Sequence, residues 1–117
     1  MADDIQIPEE GDGKVVQLVV EGRPILRTGV GKEHADILEL ALRELNLGFK
    51  TRNVGGKDIP LLEGDMYNVP GMGHYTRCEN TVSVRGFSCG YEMGINPDHM
   101  EQCRPFLAER GINLMVG

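Results

Sequence analysis

The segment from Lys14 to Glu21 constrains the fold of this chain more than any other feature. Val15, Val16, Leu18, Val19 and Val20 put apolar groups on both faces of an extended backbone, and most of them are β-branched. A strand of that kind has to be covered above and below, so it belongs inside a layered sheet.

The remaining pattern supplies the layers. Gly22, Arg23 and Pro24 make a turn, and Ile25 to Arg27 reads as a short returning strand. A helix is predicted from about Lys32 to Asn46, closed by Gly48, because Ile37, Leu38, Ala41, Leu42 and Leu45 share one face. With Ile37 at 0° that face spans roughly 0° to 140°, and His34 falls near 60°, on the apolar stripe. Phe49 to Val54 reads as a strand before the Gly55-Gly56 break, and Thr81 to Phe87 as another. Ser88 to Gly94 is a glycine-punctuated loop. Asn96 caps a second helix starting at Pro97 and running to about Arg110, with a kink or early end expected at Pro105. Ile112 to Val116 is a last strand. Pro60 to Asn80, rich in Gly and Pro, is expected to be a long loop or an irregular hairpin. The order implies an α+β (α/β) domain, with a mixed sheet of five to six strands and two packed helices.

At 117 residues there is room for one domain, predicted over 13–117 behind a flexible acidic tail at 1–12. Net charge is −6, which argues against a nucleic-acid surface, although 12 Lys and Arg remain for a local cationic pocket. No apolar run reaches the roughly 20 residues of a membrane span, and the first residues lack a signal peptide's pattern. Three cysteines, Cys78, Cys89 and Cys103, do not form a disulfide framework, so a reducing cytoplasm is expected. A monomer is the default expectation.

Two places invite chemistry. A helix N-terminus disfavours imidazolium, so His34 is expected neutral, as a general base or nucleophile, or simply as a histidine satisfied in the core. The run Gly86 to Gly94 follows a strand, and it is either a phosphate-binding nest with the Ser88 hydroxyl or an ordinary turn. Within it, Cys89 is either a reactive thiol or a small apolar side chain. A P-loop is excluded, since Leu26 and Glu33 stand where Gly and Ser or Thr are needed. A cysteine-phosphatase loop is excluded too, because six residues separate Cys78 from Arg85. The His-x3-Cys pairs His74/Cys78 and His99/Cys103 leave a zinc-stabilised interaction domain as a rival.

Three segments carry a resemblance. His34-Ala35-Asp36-Ile37 at a helix start, Gly55-Gly56-Lys57-Asp58-Ile59, and Val84-Arg85-Gly86-Phe87-Ser88-Cys89-Gly90-Tyr91 resemble, in order, the motifs of the Janus/Ocnus family of protein-histidine phosphatases. The resemblance implies a mixed sheet flanked by helices and hydrolysis of phosphohistidine on a protein or peptide, with phospholysine as a second candidate substrate. It implies no metal and no cofactor. It assigns catalysis to His34 and phosphate binding to Ser88, Cys89 and Gly90. Lys14 and Arg27 match the family's basic residues, and Lys57 lies in its glycine-rich turn. The chain departs from the family at Glu33, where an aromatic residue is usual, and at Lys57-Asp58. Those changes leave open a module that binds phosphate with weakened turnover.

Overall fold

The computed structural model describes residues 4–6 and 8–117. The apolar run becomes β1 (Gly11–Val20), which lies between two antiparallel neighbours, β2 (Arg23–Gly29) and β5 (Tyr67–Cys78). Beyond β5 come β6 (Thr81–Arg85), antiparallel to it, and β9 (Asn113–Val116), parallel to β6. The five-stranded sheet is therefore mixed, in the order β2-β1-β5-β6-β9.

Each face carries one helix because alternate residues of β1 feed different cores. Val16, Leu18 and Val20 pack with Ile37, Leu38, Ala41 and Leu42 of α1 (His34–Glu44). Val15 packs with Met100, Cys103 and Leu107 of α2 (Pro97–Glu109). Two small hairpins complete the single compact α+β domain: β3 (Thr51–Val54) with β4 (Lys57–Pro60), and β7 (Phe87–Ser88) with β8 (Met93–Gly94). Among the described residues, no helix is long and apolar enough to cross a membrane.

Three expectations about the elements need correction. The stretch from Pro60 to Asn80 is mainly a 12-residue strand at the centre of the sheet. Its Gly and Pro content is a packing requirement and not a loop signal. The segment Gly94–Asn96 crosses so closely that a Cβ on Gly71 would lie 2.7 Å from Asn96 N and 2.8 Å from Gly94 O. Pro70 stands where the β1–β5 register slips between Gln17 and Val19, a break that tolerates a missing donor. The helix α2 does not end early at Pro105 but continues to Glu109; that face is exposed, so water can satisfy the carbonyl the ring leaves free. The Ser88–Gly94 loop is a short hairpin turn between β7 and β8.

The N-terminal expectation also shifts. Residues 1–3 and 7 lie outside the described residues, but Ile5 is 2% exposed and bridges Leu26. Leu26 N–H donates to Asp4 O at 2.9 Å, and Gln6 N–H to Leu26 O at 3.2 Å. This segment covers the outer edge of β2, which would otherwise present unpaired backbone groups. The sheet itself starts at Gly11, two residues ahead of the expected boundary.

The zinc rival does not assemble. His99 is buried, its Nε2–H donating to Leu18 O at 2.7 Å and its Nδ1 accepting from Gln17 Nε2 at 3.1 Å. Cys103 lies beside it, while His74 and Cys78 are exposed on β5. Among the described residues no three His, Cys, Asp or Glu side chains converge on one point.

His99 has a consequence for acid stability. Burial lowers its pKa below the usual 6.5, against the opposing pull of the Leu18 carbonyl. Below pH 6.5 the unfolded chain therefore takes up a proton that the folded chain refuses, and stability falls with pH until the folded pKa is reached. Urea unfolding at pH 7 and pH 5 should show this loss, and His99→Leu should reduce it. An equal loss in the variant would assign the acid sensitivity elsewhere.

Candidate active site

His34 is the first residue of α1, and Gly31 (φ 71°) turns the chain into it. The preceding Glu33 occupies the N-cap in an extended conformation but makes no side-chain cap bond. Asp36 N–H and Ile37 N–H both reach Glu33 O at 3.1 Å, which leaves the His34 and Ala35 amides without intrahelical acceptors.

The His34 ring is 6% exposed and turns inward to the sheet. Its Nε2 lies 2.7 Å from Gly73 O on β5. A carbonyl can only accept, so Nε2 carries the proton and Nδ1 keeps its lone pair. Burial pushes the imidazole pKa below 6.5, and the nearby Lys14 charge lowers it further, while the Gly73 bond works the other way. The ring is therefore neutral at pH 7, with one nitrogen anchored and the other opening on a pocket.

That pocket has a volume of about 400 Å³ and brings together His34, Ala35, Lys14, Lys57 and the turn Ser88–Tyr91. Five separate parts of the chain meet here: β1 at Lys14, the start of α1, the β3–β4 hairpin, β5 at His74 and the β7–β8 turn. Ser88 is buried, and its hydroxyl accepts from Tyr91 N–H at 3.4 Å, which shapes the turn. Cys89 and Gly90 are exposed, and their amides bond no described residue. Two free amides at the helix start and two in the turn thus border one cavity, an arrangement suited to an oxyanion.

Tyr91 holds the opposite wall. Its hydroxyl donates to Pro60 O at 2.9 Å, tying the turn to β4, and burial pushes its pKa up to about 12. It acts as a fixed donor in the frame.

The pocket's two lysines are already paired. Lys14 Nζ is 3.3 Å from Glu33 Oε2, and Lys57 Nζ is 3.0 Å from Asp36 Oδ1. Lys14 is half-buried but its partner Glu33 is exposed, as are both members of the Lys57 pair, so each pair is weak and can yield to a more highly charged anion.

Arg27 is the one expected site residue that stands elsewhere. Its guanidinium is buried, bonded to Asp4 O at 2.7 Å and Leu26 O at 3.0 Å, and paired with Glu44 at 3.0 Å. Glu44 ends α1, ten residues after His34, which is about 15 Å along the helix. Arg27 therefore fastens the far end of α1 to the sheet edge and does not line the pocket.

His74 is the residue that sequence reasoning placed in the wrong role. Its ring stacks edge-on against His34 with centroids 5.5 Å apart, and it lines the same pocket. The signal for it lies in β5, whose alternation was hidden by Gly71 and Gly73. No family model matches this chain, and no curated protein matches it.

Proposed function

We propose that this chain is a protein-histidine phosphatase of the Janus/Ocnus kind, acting on phosphohistidine in a protein or peptide. One observation carries the reading: His34 is held by Gly73 O with Nδ1 bare, in a pocket edged by free amides and Lys14. In this reading the phosphoryl oxygens sit on the amides of His34, Ala35, Cys89 and Gly90, with Lys14 and Lys57 nearby. Those donors offset charge that builds on phosphorus as the P–N bond breaks. His34 Nδ1 either takes a proton from the attacking water or attacks phosphorus directly. The leaving imidazole departs as its nitrogen takes a proton, from the His34 imidazolium in the first route and from solvent in the second. In that second route water then hydrolyses the phosphoryl group from His34 Nδ1.

The positive field comes from the chain itself, so the proposed reaction needs no metal. Phosphate release from a phosphohistidine peptide should proceed undiminished in EDTA. Loss of activity in EDTA, restored by a divalent cation, would overturn the metal-free mechanism, and absence of release under any condition would overturn the phosphatase reading.

A second reading, a phosphopeptide-binding module without turnover, is favoured by the carboxylates that neutralise Lys14 and Lys57. It predicts peptide binding with no phosphate released. The free thiols of Cys78 and Cys89, both exposed, fit a reducing cytoplasm as the place of action.

A further inference from the structure

The pairing register of the sheet sets three nitrogenous side chains in one row. Lys14 on β1 is opposite His74 on β5, and His74 is opposite Arg85 on β6. Directly opposed residues of antiparallel strands project from the same face. Here it is the face that carries α1, since His74 packs on His34. With strands about 4.8 Å apart, Arg85 stands about 10 Å from Lys14.

The row leads out of the His34 pocket into a second concavity of about 820 Å³. The two share Lys14, Glu33 and His74, and the second adds Lys32, Arg85 and Asp12. Its acidic groups are engaged, Glu33 with Lys14 and Asp12 with the Thr76 hydroxyl at 2.7 Å. Lys32 and Arg85, by contrast, are exposed and have no carboxylate within 4.0 Å among the described residues. Both line one groove on a chain of net charge −6. A third hollow, which shares Phe87 and Cys89 with the His34 pocket and none of the groove's lining residues, offers Phe87, Met93 and the carboxylate of Glu92. The two hollows that adjoin the site therefore differ in charged lining, Lys32 and Arg85 in one and Glu92 in the other.

We propose that the Lys32–Arg85 groove is a subsite for a carboxylate side chain of the phosphorylated peptide, on one flank only. The proposal rests on the phosphatase reading for what occupies the His34 pocket. An extended peptide advances about 3.3 Å per residue, so a group reaching Arg85 lies one to three residues from the phosphohistidine.

The test uses peptides bearing a stable phosphoryl-triazole mimic of phosphohistidine, with a single Glu moved through the three positions on either side in an alanine background. Binding is read by fluorescence anisotropy. Glu on one flank should tighten the wild-type Kd about fivefold over the all-alanine peptide, the size of one or two exposed ion pairs. The double variant Lys32→Gln, Arg85→Gln should lose that gain while binding the all-alanine peptide as before. Arg85→Lys, which keeps the charge, should retain most of it, and salt should erode it. A gain on both flanks, no gain on either, or a gain that survives the double variant overturns the subsite. Because this readout needs no turnover, failure to hydrolyse authentic phosphohistidine peptide sinks the phosphatase reading separately.

Discussion

The variant His34→Ala should release no measurable phosphate from a phosphohistidine peptide, with kcat/KM down by at least about 10³ and the fold retained. A positioned base alone contributes roughly 10² to 10⁴, and a nucleophile contributes more because no second route remains. Stability should change little, since the ring borders an open pocket and its loss leaves only Gly73 O, which water can reach from that side. His34→Asn should be as inactive, because an amide nitrogen cannot serve as base at neutral pH. The wild-type pH profile adds a separate check. The base works only when neutral, and burial holds its pKa under 6.5, so kcat/KM should stay level at pH 7 and fall only below 6.5. Turnover by His34→Ala within tenfold of wild type would remove His34 from the chemistry.

Gly71→Ala should be the most damaging single methyl in the molecule, destabilising the fold by about 3 kcal/mol. The added Cβ would overlap Gln17 Oε1 and press on the backbone of Asn96 and Gly94. Backbone on both sides cannot rotate away. Gln17 is fully buried, and its amide accepts from Asn96 N at 2.8 Å and donates to Asn96 O at 2.9 Å. It also meets His99 Nδ1 at 3.1 Å. Displacing it unsatisfies several buried polar groups at once and loosens the N-terminus of α2. Gly90→Ala is the matched control, since no atom lies within 4 Å of its Cβ position. Urea denaturation should separate the two variants clearly, and equal midpoints would show that the chain crossing yields more easily than its geometry implies.

These two residues mark the limits of reading the chain by pattern. The helical period identified α1, its buried face and the inward turn of His34 without coordinates, because Ile37, Leu38, Ala41 and Leu42 repeat with the backbone's own geometry. The Asn96-Pro97 start of α2 was equally visible, and Asn96 does accept from His99 N at 3.0 Å. Six of the seven expected site residues, His34, Lys14, Lys57, Ser88, Cys89 and Gly90, border one pocket. Arg27 does not, because proximity in sequence to His34 says nothing about which end of α1 a side chain reaches.

What went unread depends on distant segments. β5 looks like a loop because its glycines answer to Gly94–Asn96, more than twenty residues away, and periodicity carries no trace of that contact. The rival zinc pairs do not meet for the same reason, as His99 turns into the core beneath Leu18 while His74 turns to His34.

By itself, then, the sequence determined the local matters: which runs extend, which coil, where helices begin and which faces are apolar. These follow from steric preference and hydrophobic period within about a dozen residues. Only the tertiary structure decided the tautomer of His34, the partners of the pocket lysines and the row Lys14–His74–Arg85. Each of those depends on where a strand from another part of the chain comes to rest, and strand register is set by the whole sheet and its two cores.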